Sequence, residues 1–161
     1  MQDITLVETP TPALSGSVAQ DFKVTKLPID RQSIKSRRLL DMIEMVEVLI
    51  APGERAVWQM LVDAGADADH LAYRDPSDDT HSVFNAALQF RICSEKLRGF
   101  LIVEDDRLER CYRLFVQHED HLDREVIQKR VRMSNFASSI FDLVDDGARR
   151  SENLAHGLIR D

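Results

Sequence analysis

The chain has 161 residues, with 21 basic and 28 acidic side chains and a net charge of −7 at neutral pH. Apolar residues make up 43% and charged residues 30%, which suits a globular protein with a modest core rather than a disordered chain. Six Gly and five Pro exclude collagen-like and low-complexity classes and argue against a turn-dense β-sandwich.

Residues 1–28 read as an irregular N-terminal tail. Pro10, Pro12, Gly16 and Pro28 interrupt any long regular element. Ile4, Leu6, Val7, Leu14, Val18 and Phe22 are more apolar than a solubilising tail requires, so the segment also suits docking on a partner. A secretory signal is not expected, because the first residues carry neither a basic nor an apolar block.

Residues 29–161 are read as one helical domain. Asp30 is a candidate N-cap for a first helix, whose stripe runs through Ile34, Leu39, Leu40, Ile43, Val46, Leu49 and Ile50. Pro52 and Gly53 end it. A shorter helix is predicted over residues 54–64, with Val57, Met60 and Leu61 inward and Gly65 as its stop. Residues 65–79 form an acidic, turn-rich connection, and helix is expected again from Asp79 through Val83, Phe84, Leu88, Ile92 and Leu97.

Residues 100–116 admit two readings. One is a hairpin; the other is a helix with Leu101, Leu108, Cys111, Tyr112 and Phe115 on one face. The helix is preferred, because no Gly or Asn stands where a two-residue hairpin turn needs one. A final amphipathic stretch carries Leu122, Val126, Ile127, Val131, Phe136, Ile140 and Val144, with a break near Ser134 and Asn135 and a last turn from Ser151. The expected fold class is therefore all-α: a compact bundle of four to six helices behind an irregular tail.

Candidate chemistry is sparse. Cys93 and Cys111 stand outside any C-x-x-C pair and are expected as small, buried thiols in a reducing cytoplasm. The apolar run over residues 42–51 is broken by Glu44 and Glu47, so no membrane span is expected. His118 and His121 could share a helical face, but further ligands at metal-site spacing are lacking. No phosphate-binding loop, nucleophile elbow or zincin pattern is present. No catalytic residue, metal or cofactor is assigned.

Charge is the remaining signal. Residues 52–80 hold seven acids against Arg55 and Arg74. Within and beside this connection, Asp63, Asp67, Asp69, Asp75, Asp78 and Asp79 are candidates for steering a protein partner. Two basic clusters, Arg31, Lys35, Arg37 and Arg38, and Arg124, Lys129, Arg130 and Arg132, are candidates for nucleic acid. The sequence thus points to a non-enzymatic, cytoplasmic regulator, adaptor or assembly factor acting through protein–protein contacts, with a homodimer expected. The alternative is a small nucleic-acid-binding regulator or phage-type packaging subunit using the basic clusters.

Overall fold

A computed structural model describes residues 26–80 and 82–149. Most of the expected tail and the expected last turn lie outside the described residues. Among these residues the chain forms three α-helices and seven strands: α1 (Arg37–Val48), β1 (Ile50–Ala51), β2 (Arg55–Ala56), α2 (Val57–Asp63), β3 (Ala72–Arg74), β4 (Ala87–Cys93), β5 (Arg98–Asp106), β6 (Cys111–His118), β7 (Glu125–Val131) and α3 (Met133–Val144). This corrects the all-α expectation. β1 and β2 form a small hairpin, and β3 to β7 form an antiparallel meander in sequence order. The architecture is α+β, with α1, α2 and α3 contributing to one core against one face of the five-stranded sheet.

Over residues 37–48 and 57–63 the chain is helical as its pattern predicts. Asp30 caps a single 3-10 turn (Arg31–Ser33), and the α-helix starts one turn later, with Ser36 accepting from the Leu39 amide at 3.1 Å. α1 buries Leu39, Ile43 and Val46 of the expected stripe together with Met42 and Met45, which the stripe did not include, while Leu40 is half-buried and Ile50, in β1, is exposed. Val57, Trp58, Met60 and Leu61 of α2 pack beside it, and Trp58 lies 6.1 Å from the Phe90 ring. Gly65 takes φ +105 directly after α2, and a Cβ there would meet the Cys93 amide nitrogen at 2.8 Å. Glycine is therefore required both by the turn and by the approach of β4.

The predicted helix over residues 79–97 is instead a loop followed by β4. Leu88, Phe90 and Ile92 face the core, while Gln89 and Arg91 face away: period two, not 3.6. The stretch over residues 100–116 is the hairpin. β5 and β6 pair from Gly99↔His118 to Asp106↔Cys111, around a turn at residues 107–110. The missing Gly is replaced by Arg110, which itself takes φ +57. Arginine pays the small left-handed penalty that a Gly or Asn would avoid.

The C-terminal stretch divides at Arg132. β7 occupies residues 125–131, and α3 follows with Phe136, Ile140 and Val144 buried at four-residue spacing. Asn135 accepts the Arg132 amide at 2.7 Å, so the expected break near Ser134 and Asn135 is a helix start. Tyr112 meets Phe136 edge-on at 5.6 Å, which seats α3 on the sheet.

A buried ion triad ties these helices together. Arg55 donates to Asp63 at 2.6 Å and to Asp145 at 2.8 Å, and all three side chains are under 10% exposed. Burial alone would lower the Arg55 pKa, but the two carboxylates outweigh it and raise it. A second anchor is Glu47, which accepts the Leu27 amide at 2.7 Å and pairs with Arg31.

Candidate docking surface

The sheet has two unlike faces. Leu88, Phe90, Leu101, Val103, Leu114 and Val116 point to the helices and belong to the core. No helix of the described residues covers the opposite face. Its residues align in cross-strand rows: Ala72, Gln89, Ile102, Phe115 and Val126 in one, and Arg74, Ala87, Glu104 and Arg113 in the next. Arg91, Phe100 and Gln117 form a third.

These rows are cross-braced. Glu104 pairs with Arg74 at 2.9 Å and with Arg113 at 3.6 Å, and Arg113 reaches Asp106 at 3.9 Å. Arg113 lies over the Phe115 ring at 5.2 Å, and Arg91 over Phe100 at 5.9 Å. Arg91 also approaches Glu119 at 3.8 Å. Three arginines thus meet three carboxylates over an apolar ground of Phe100, Ile102 and Phe115. Arginine and aromatic residues presented together are the enriched chemistry of protein contact surfaces.

The edges are less inviting than the face. β3 is only three residues long. β7 is longer and exposes Val126 and Ile127, each at 40%. Its register slips twice against β6, leaving an extra β7 residue between the partners of Tyr112 and Leu114 and another between those of Leu114 and Phe115. Bulges and the exposed Lys129 and Arg130 are devices that discourage edge-to-edge pairing.

The sequence-predicted acids do not make one patch. Asp63 is buried against Arg55. Asp67 caps a 3-10 turn (Ala68–His70), which contains the exposed Asp69, and meets His70 Nδ1 at 2.8 Å. The hydrogen bond from His70 holds the Asp67 carboxyl below its usual range. Asp75 accepts the Lys35 and Ser36 amides, each at 2.9 Å, and Asp79 accepts those of Arg37 and Arg38 at 2.9 and 3.3 Å. Both carboxylates therefore serve the positive N-terminus of α1. Asp78 accepts the Thr80 amide at 2.7 Å.

The first basic cluster is also engaged locally. Arg31 binds Glu47 and the Leu27 and Ile29 carbonyls, and burial pushes its pKa down. Arg37 pairs with Asp41 at 3.3 Å and Arg38 with Asp105 at 3.2 Å. In the second cluster, Arg130 pairs with Glu109 at 2.7 Å, Lys129 stands on β7, and Arg132 leads into α3. Arg124, just before β7, reaches a depression on the uncovered face.

A separate cleft of about 290 Å³ lies where Arg38, Asp105, Arg110, Cys111 and Tyr112 converge. Burial raises the Asp105 carboxyl against the opposing effect of Arg38, and nearby Asp79, Asp106 and Asp41 push the same way. Burial likewise raises the Tyr112 phenol and the Cys111 thiol. The expected burial is found for Cys111, which donates to the Lys129 carbonyl at 3.2 Å, but not for Cys93, which is exposed at the end of β4. The His118 and His121 rings lie 6.0 Å apart, and no group of three or more potential ligands stands together among the described residues.

The uncovered face went unnoticed in sequence because its apolar residues belong to strands read as helix. The alternation of Arg91, Gln89 and Ala87 with Ile92, Phe90 and Leu88 was the available signal. No helix of the described residues is long and apolar enough to cross a membrane. Together these features define, among the described residues, an α+β fold with one sheet face that no described helix covers. Compared with protein-family models, curated proteins and solved structures, the chain finds no match.

Proposed function

We propose that the chain is a non-enzymatic, cytoplasmic adaptor or regulator that docks another protein on the uncovered face of its sheet. The observation that carries this reading is the braced array of Arg91, Phe100, Ile102, Glu104, Arg113 and Phe115 on a face that no helix of the described residues covers. Apolar area supplies the driving force for association, and the paired ions at its margins select orientation. The exposed Cys93 thiol, left free, suits a reducing compartment.

The arginine–phenylalanine pairs also favour a second reading, a platform on which bases of single-stranded nucleic acid stack. Charge separates the two. Arg74, Arg91 and Arg113 are matched by Glu104, Asp106 and Glu119, whereas a phosphate backbone needs a net positive track. A protein partner is therefore the better fit. The bulged β7 edge gives no support to pairing of two copies through that strand.

The test is co-purification from the native source after nuclease treatment. Wild type retains a stoichiometric protein. Phe115→Asp loses it, while Leu108→Asp, changed at an 88%-exposed turn position, keeps it. Unchanged Trp58 fluorescence shows that both variants are folded. Retention by Phe115→Asp, or release of all bound material by nuclease, overturns the reading.

A further inference from the structure

Ile102 is only 4% exposed, yet it stands outside the core cluster, on the face away from the helices. It forms part of the lining of a depression of about 160 Å³ that also involves Ala72, Arg74, Gln89 and Arg124. A dry cavity of about 150 Å³ accepts a benzene-sized group, so the space matches one aliphatic or aromatic side chain.

Among the described residues, two arginines and no carboxylate line the depression. Arg74 is held in place by Glu104 at 2.9 Å and by the Asn85 carbonyl at 2.7 Å. Arg124 makes no ion pair or hydrogen bond among the described residues, and it stands beside an apolar hole in a chain of net charge −7. An unpaired guanidinium offers a planar fork to a carboxylate, and that geometry is worth most when bidentate.

We infer that this depression is the specificity pocket of the docking face, and that it takes an acidic peptide segment of the partner. An apolar side chain of that segment fills the space over Ile102, and an adjacent Asp or Glu carboxylate binds Arg124. The inference rests on the docking reading above and adds the chemistry of the partner. The other arginine, Arg74, keeps Glu104 as its partner, so Arg124 is the cation left to bind the carboxylate.

The experiment selects a phage-displayed library of random octapeptides on the full chain and measures the winners, fluorescein-labelled, by anisotropy. The expected winners carry Asp or Glu within two residues of an aliphatic or aromatic residue. Their affinity falls at least tenfold on Arg124→Glu, recovers in part on Arg124→Lys, and is unchanged on Arg130→Glu. Winners that carry Lys in place of the acid, tested on Arg124→Glu, regain binding. Winners without acids, or acidic winners indifferent to Arg124→Glu, overturn the pocket. If those indifferent winners are lost on Phe115→Asp, the docking face stands and only the pocket fails. A library that yields no binder overturns the pocket and leaves the face to the co-purification test.

Discussion

Replacing Asp145 by alanine strips the buried Arg55 guanidinium of one of its two carboxylates. Asp145 lies just beyond α3 and Asp63 ends α2, while Arg55 belongs to β2, so this ion triad fastens three elements. The Arg55 Nε already lacks a partner, which leaves little slack for a second orphaned donor. Removing one member of a buried pair costs about 3–5 kcal/mol. Because Asp63 remains at 2.6 Å, the lower end applies, about 3 kcal/mol. Total stability for a domain of this size is about 5–15 kcal/mol, so the variant still folds. Its melting temperature falls by about 6–12 °C. Urea titration followed through Trp58, the single tryptophan, 3% exposed against Phe90, measures the change directly. Replacing all three residues by apolar ones (Arg55→Met, Asp63→Leu, Asp145→Leu) restores most of the loss, since desolvation of the triad offsets its attraction. A cost below about 0.5 kcal/mol for Asp145→Ala would refute the reasoning.

Three further outcomes are expected. Gly99→Ala places a Cβ 2.0 Å from the Gln117 carbonyl oxygen, which backbone alone must relieve, and destabilises by about 3 kcal/mol in the same titration. Of the two cysteines, exposed Cys93 reacts promptly with a thiol reagent, whereas Cys111, buried and with its pKa pushed up, reacts only on unfolding; two equally fast thiols would contradict the burial. Asp105 has a raised folded pKa, so the native state binds its proton more tightly than the unfolded chain does. Its contribution is fully present below the unfolded value of 3.8 and is lost as pH rises through the raised folded value. Asp105→Asn, a neutral mimic, therefore gains stability over wild type as pH rises from about 3 to 7, and a constant difference across that range counts against the assignment.

The helical third of the chain was legible because one apolar stripe faces one core. Leu39, Ile43 and Val46 carry that signal, and Pro52, Gly53 and Gly65 mark the ends. The sheet was hidden for an opposite reason. Ala87, Phe100, Ile102 and Phe115 put apolar residues on the uncovered face as well, so β4 to β6 lose strict alternation and imitate helical spacing. The β5–β6 turn concealed itself by using Arg110 where a glycine would have announced it. Among the candidate residues, Asp75 and Asp79 were visible as acids, but their role at the N-terminus of α1 depends on contacts forty residues apart. Arg124 alone of the predicted basic residues lines the docking-face depression, and only the meander brings it to Ile102.

The most direct measurement is site-specific photocrosslinking in the native source. A benzophenone side chain replaces Phe115 on the uncovered face or, as a control, Val48, which is 58% exposed at the end of α1. The docking reading predicts a discrete protein adduct from position 115, absent from position 48 and abolished by Phe100→Asp on the same face. Equal adducts from both positions, or none from position 115, would contradict it.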